Sequence, residues 1–191
     1  GTADKKAEIK NLMLTGKLNI TENYRNSFAY SGGLVGGAEY VSFTDITTNV
    51  AVTAKKGSAP YPWSYVGGFA GTVKNADFLR CVNNGTVTTD GDYVSGFAAK
   101  SETTTYTSCV NNGAITGRTK IGGFGGAVKS TKTVDSYNTG TIGLAAYNGG
   151  NQGIGGLFGE MGYGSTLTRC YNTGAVTGDC YVGGLVGSVG S

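Results

Sequence analysis

Histidine is absent from this 191-residue chain. Its absence removes the commonest general base, the commonest metal ligand and every triad that runs through an imidazole. Proline occurs only twice, tryptophan once, and charged residues fill 14% of positions, against an ordinary share of about 25%. The net charge of +3 is thinly spread, with Lys5-Lys6 and Lys55-Lys56 as isolated pairs. No block of like charge marks a nucleic-acid surface or an anionic-membrane surface, so no nucleic-acid partner is expected. Long apolar runs are missing too. Stretches such as Gly183 to Gly187 are broken by glycine and fall far short of the roughly 20 apolar residues of a spanning helix. Membrane insertion of this segment is therefore not expected. The chain opens Gly1-Thr2-Ala3-Asp4 with no Met, apolar signal core or cleavage site. Any export signal is expected to have been removed or to lie outside it.

What is abundant is glycine, with 35 residues against a usual share of about 7%, and it is arranged in a repeat. One block reads aromatic, aliphatic, Gly, Gly, Leu or Phe, small, Gly. Its clearest copies are Tyr65 to Gly71, Lys120 to Gly126, Gly153 to Gly159 and Tyr181 to Gly187, with looser copies at Tyr30 to Gly36 and Tyr93 to Ala99. The Leu/Phe position recurs at 34, 69, 97, 124, 157 and 185, a unit of about 28 residues. A second block follows, as Cys81-Val82-Asn83-Asn84-Gly85, Cys109-Val110-Asn111-Asn112-Gly113, Ser136-Tyr137-Asn138-Thr139-Gly140 and Cys170-Tyr171-Asn172-Thr173-Gly174. Leu12 to Leu18 resembles the second block without its partner, and Phe43 to Val52 holds a blurred copy. The chain therefore reads as one domain, residues 1–191, of about six coils, the first incomplete. Insertions are expected near 54–64 and 144–152.

Segments between the glycines are short, rich in Val, Ile, Thr, Tyr and Phe, and bounded by Asn-Gly or Gly-Gly, which predicts strands. Asn-Gly between strands is also a hairpin signal, so an antiparallel sandwich has to be weighed. The fixed columns favour an all-β parallel β-solenoid, or β-helix, because stacking places equivalent residues above one another at ~4.8 Å per layer. Val66, Val94, Ile121, Ile154 and Val182 then form one inward stack, and Phe69, Phe97, Phe124, Leu157 and Leu185 another. Strict alternation cannot send positions three apart to one side, so the intervening Gly-Gly is expected to form a corner where a Cβ would clash. Asn83, Asn111, Asn138 and Asn172 are expected to stack as an amide ladder. Gly85, Gly113, Gly140 and Gly174 are expected to supply a turn with positive φ.

The first block resembles the GLUG motif, named for its Gly-Leu-x-Gly core, and copies run from about Leu12 to Gly187. That resemblance implies a repeat region of a large secreted or surface-attached bacterial protein, such as an adhesin or the non-catalytic part of an IgA-specific metallopeptidase. It carries no catalytic residue, so no enzyme activity and no cofactor are expected. The implied role is adhesion to a host glycan or host surface protein at the cell surface. The alternative is a structural spacer that presents flanking domains of the parent chain. The chain stops at Val189-Gly190-Ser191 just after a first block, and more of the parent protein is expected to follow.

Cys81, Cys109 and Cys170 share a column with Ser136, which reads as a small buried side chain at a crowded corner. An unbridged ladder fits this column better than a Cys81–Cys109 disulfide. Cys180 stands apart. Four cysteines without His or a paired C-x-x-C do not make a zinc site, and Asp90-Gly91-Asp92 reads as the turn before a strand, so no metal is expected. The residues flanking the second block are Arg80, Ser108, Asp135 and Arg169, which is not the acidic column a polysaccharide-cleaving groove needs. Tyr30, Tyr65, Tyr93 and Tyr181 precede the aliphatic column and by alternation face outward. With Tyr61 and Trp63 from the longest insertion they are the candidate ligand face. Lys120 and Gly153 interrupt that aromatic column.

Overall fold

The computed structural model describes residues 1–23, 28–56, 63–145 and 153–190. Among the described residues all regular structure is β, and no helix is long and apolar enough to cross a membrane. The strands form a parallel β-solenoid. Six short strands, Ala29–Gly32, Ser64–Gly67, Tyr93–Ser95, Ile121–Gly122, Ile154–Gly155 and Val182–Gly183, stack as one sheet. The other 18 strands form a second sheet that wraps the remaining faces. It counts as one sheet because Val35–Lys56 is continuous. That strand pairs in turn with Ala70–Leu79, Val82–Asn83 and Val87–Thr89, which belong to successive faces of the next coil.

The repeat register is the pairing register. Val66 pairs with Val94, Val94 with Ile121, Ile121 with Ile154 and Ile154 with Val182. The blurred N-terminal copy also falls in line, with Thr48 opposite Asn83 and Leu14 opposite Thr48. Two cores result. One holds Val66, Val94, Ile115, Ile121, Ile142 and Ile154. The other is aromatic, with Phe69, Phe97 and Phe124 stacked at 4.7 Å and almost coplanar. Phe78 and Tyr106 stack beside them at 4.8 Å and meet them edge-on. One ring per layer matches the strand spacing, so each coil adds an aromatic contact at no cost in register.

The expected amide ladder is present and buried. Asn83 Nδ2 donates to Asn111 Oδ1 at 2.7 Å, Asn111 to Asn138 at 2.6 Å and Asn138 to Asn172 at 2.7 Å, while Thr48 Oγ1 donates to Asn83 at the N-terminal end. Each amide also donates to the glycine carbonyl two residues on. The Gly-Gly corners are as tight as expected. A Cβ on Gly123 would lie 2.6 Å from the Gly156 carbonyl oxygen.

The expected positive φ at Gly85, Gly113, Gly140 and Gly174 is not observed, since only Gly16 and Gly164 among the described glycines have it. Glycine is needed in that column for close approach. A Cβ on Gly113, Gly140 or Gly174 would fall under 3.0 Å from the carbonyl of the glycine in the preceding coil. Among the described residues the non-glycine left-handed positions are instead Asn11, Asp45, Arg80, Ser108, Asp135 and Arg169 in one column, Tyr40, Asn75, Thr103 and Ser130 at a second corner, and Lys120 and Tyr181 at the start of the first block. Such φ values cost a non-glycine residue roughly 1–2 kcal/mol, and local hydrogen bonds offset that. After six of these residues a Cys, Ser or Thr side chain donates back to the carbonyl two residues earlier: Cys81 to Leu79, Cys109 to Thr107, Ser136 to Val134, Cys170 to Thr168, Thr104 to Glu102 and Thr131 to Lys129; Asp45, Tyr40 and Asn75 are followed by Ile46, Val41 and Ala76 instead. This explains why Cys and Ser alternate in one column, and all four cysteines are free.

Part of the expected 54–64 insertion is regular structure, because the strand runs through Lys56 and the next begins at Ser64. Residues 57–62 and 146–152 lie outside the described residues.

Candidate functional site: a lysine–tyrosine groove across the coils

The strands Ser64–Gly67 and Tyr93–Ser95 place Tyr65 and Tyr93 in register, so their rings stack at 4.4 Å. Tyr30 stacks on the other side of Tyr65 at 5.2 Å. Outward alternation leaves only part of this column exposed. Tyr65 is only 6% exposed, while Tyr30 is 41% and Tyr181 60% exposed. Tyr65 is hidden by cross-layer stacking between Tyr30 and Tyr93, with Phe28 edge-on to it at 5.9 Å. Burial, with the phenols of Tyr93 and Tyr30 alongside, pushes the Tyr65 hydroxyl well above the usual tyrosine range.

Lys120 continues the column that the sequence suggested it would interrupt. Its ammonium lies 5.1 Å from the Tyr93 ring centroid, a cation–π distance, and 2.6 Å from Glu160. Partial burial pulls its pKa down, but the Glu160 and Tyr93 contacts outweigh this and leave it raised. Trp63 is half exposed, 5.9 Å from Tyr93. Tyr181 is separated from this group and lines a smaller hollow of about 250 Å³ with Lys120, Gly153 and Glu160. Tyr61 lies outside the described residues.

Beside the tyrosines runs a groove of about 330 Å³. One wall is Tyr65, Tyr93 and Lys120, and the other is Lys129, Gly162 and Tyr163. Its hollow has a simple origin. The column Thr72, Lys100, Ala127, Glu160, Ser188 is in register up the sheet, and Ala127 contributes only a methyl between two long side chains. Lys100 and Glu160 therefore close the two ends. Lys100 Nζ lies 5.9 Å from the Tyr65 centroid and Lys129 Nζ 4.5 Å from that of Tyr163. The Tyr163 hydroxyl, with Glu102 nearby, raises the Lys129 pKa. Three lysines thus face the groove, each against a tyrosine, with Glu102 and Glu160 as the acidic groups.

Lys100, Lys129, Glu160 and Tyr163 were not among the candidates from the sequence. A signal for the first three was available, because extending the 28-residue register past the Gly-Gly block aligns Glu39, Lys74, Glu102 and Lys129 in one column and Lys100, Ala127 and Glu160 in another. Tyr163 had no such signal, since it sits in a turn at Gly162-Tyr163-Gly164 that departs from the repeat.

Several of the acidic residues elsewhere are occupied. Arg80 grips Asp45 through two hydrogen bonds of 2.7 Å, and Arg169 grips Asp135 at 2.6 and 2.8 Å. Asp92 is held by Arg118 and lies 3.9 Å from Lys56, and Asp90 accepts the Lys56 backbone N–H at 2.7 Å. Glu22 is fully buried and accepts from Ser64 Oγ at 2.9 Å. Burial raises its carboxyl pKa, the Ser64 bond opposes this, and Asp90 adds to it. Among the described residues no group of three His, Cys, Asp or Glu side chains could hold a metal ion. Burial pushes the Cys109 thiol well above its ordinary pKa, and both Cys81 and Cys109 are fully buried among apolar side chains, so they act as packing groups. No protein-family model, curated protein or solved structure matches this chain.

Proposed function

We propose that this chain is a non-catalytic binding module, a repeat region of the GLUG type from a secreted or cell-surface bacterial protein that adheres to a host glycan or protein. The observation that carries the reading is the groove beside Tyr65 and Tyr93, where concave shape, aromatic walls and convergent polar groups meet on one rigid face. Such a combination is the general description of a ligand site. Solenoids suit the role because the site is assembled from several coils, each held by its neighbours above and below. The motif resemblance supports the extracellular setting, and the chemistry of the chain is consistent with a role that needs no histidine, metal or free carboxylate pair.

The test is a glycan and host-protein array probed with the folded chain and with a Trp63→Ala/Tyr163→Ala variant, both residues being exposed and outside the cores. Saturable binding that is lost in a variant with an unchanged circular-dichroism spectrum supports the module. Silence on both arrays favours the second reading, a spacer that presents flanking domains. That reading draws on the Asn83–Asn172 amide ladder and the Phe69–Phe97–Phe124 stack, which tie each coil to the next.

A further inference from the structure

We infer that the groove takes a carboxylate-bearing sugar, such as a uronic acid at the end of a glycan chain; this rests on the binding-module reading above and narrows it to one ligand chemistry. The argument begins with charge. Lys120 is already neutralised by Glu160 at 2.6 Å. Lys100 and Lys129 have no carboxylate within 4.0 Å among the described residues, although Glu102 is the in-register neighbour of Lys129. Lys100 and Glu102 leave the same strand two residues apart, and residues two apart in a strand share a face. The Lys100 and Lys129 ammonium groups line the groove from two coils, Lys100 against Tyr65 on one wall and Lys129 against Tyr163 on the other. A carboxylate entering the groove meets, on either wall, a lysine that no described carboxylate contacts within 4.0 Å.

Shape and the other groups point to a sugar. The floor is the Ala127 methyl and one wall includes the exposed Tyr163 ring, an aromatic surface that suits the C–H face of a pyranose. Glu102 and Glu160 at the rim are acceptors, and a ligand that brings hydroxyl donors satisfies them. A sulfate or phosphate ester alone would meet the lysines but leave these acceptors without donors. The volume of about 330 Å³ lies at the lower end of the about 300–1,000 Å³ typical of small-ligand sites, so the site fits a terminal sugar and not a folded partner.

The experiment is titration calorimetry, with saturation-transfer NMR, of the intact chain against methyl glucuronide, methyl glucoside and glucose 6-sulfate. Methyl glucuronide is expected to bind at least tenfold more tightly than the glucoside, with its ring protons saturated by the tyrosines. Lys100→Met and Lys129→Met are each expected to weaken it at least fivefold, with the effect shrinking in high salt. Ala127→Gln, which fills the floor from a solvent-facing strand position, is expected to abolish binding while leaving the melting temperature unchanged. Equal affinity for glucuronide and glucoside overturns the carboxylate assignment but keeps the glycan-binding reading. Tighter binding of the sulfate overturns it in favour of a general anion site. No binding by any sugar, with the array also silent, overturns both readings.

Discussion

The inner coils and the C-terminal coil carry the same residues in the same columns, yet they differ in nearly every physical property. Val66, Val94, Ile121 and Ile154 are fully buried, whereas Val182 is 43% exposed; Phe97, Phe124 and Leu157 are fully buried, whereas Leu185 is 38% exposed. Asn111 is buried between two neighbours, and Asn172 has a side-chain partner on one side only. A Cβ on Gly156 would strike both the Asn172 side chain and the Gly184 carbonyl, but a Cβ on Gly184 meets nothing within 4 Å. The lesson is that a coil of this solenoid has no core of its own. Burial, hydrogen-bond satisfaction and steric crowding are all supplied by adjacent layers, as expected where stability is a sum over nearest-neighbour interfaces.

The sharpest way to break this comparison is the glycine column. Gly156→Ala is expected to prevent cooperative folding or cost more than about 4 kcal/mol, in the range reserved for severe steric defects. Gly184→Ala is expected to be neutral within about 0.5 kcal/mol. Urea melts followed by circular dichroism decide it, and equal effects at the two sites would refute the layer account. Next come the aromatic stacks. Phe97→Ala should lose about 3–5 kcal/mol, because the ring contacts Phe69, Phe124, Phe78 and Tyr106. Leu185→Ala should lose about 1 kcal/mol, as its side chain is only partly removed from water. The same melts give both numbers.

A smaller difference is expected along the amide ladder. Asn111→Ala removes a donor to Gly113 and Asn138 and an acceptor from Asn83, and should cost about 3 kcal/mol at roughly 1 kcal/mol per hydrogen bond. Asn172→Ala removes an acceptor from Asn138 and the partly exposed bonds to Gly174 and should cost about 2 kcal/mol, with loss of protection from hydrogen exchange confined to the last two coils. The smallest effect concerns an exception, Glu22, which belongs to the otherwise exposed first strand and is nevertheless fully buried. Its folded pKa is raised above 4.5, chiefly by burial. The folded state therefore binds the proton more tightly than the unfolded chain, and the charged carboxyl penalises folding at pH 7. That penalty disappears as pH falls through the raised folded pKa and is gone below 4.5. Glu22→Gln is expected to raise the melting temperature at pH 7 and to match the parent chain at pH 4. A constant difference across that range would show that hydrogen bonding, not charge, is what the substitution changes.

The repeat made most of the architecture readable in advance. Columns at 66, 94, 121, 154 and 182 are in register because hydrophobic periodicity and parallel stacking impose the same constraint, and the Asn and Phe ladders follow from it. The positive-φ assignment at Gly85 and its equivalents went wrong for an instructive reason. Glycine serves either conformation or close approach, and a sequence reports only that one of them is needed. The corners that truly require the left-handed region hold Arg80, Ser108, Asp135 and Arg169, whose cue is the Cys or Ser that follows and hydrogen-bonds backward. Tyr65 and Tyr93 were identified as the candidate face, but their partners were not. Lys100 and Lys129 lie in another part of the coil, and Tyr163 sits in a turn outside the repeat.

By itself the sequence determined the fold class, the layer period and which residues stack, because each is a property of spacing along the chain. Only the tertiary structure decided which tyrosines are buried, which carboxylates are already paired with arginine or lysine, and where a single alanine among long side chains opens a groove. Those are properties of neighbours that are adjacent across coils and faces, and a linear pattern records the layers without recording how their side chains fill the space between them.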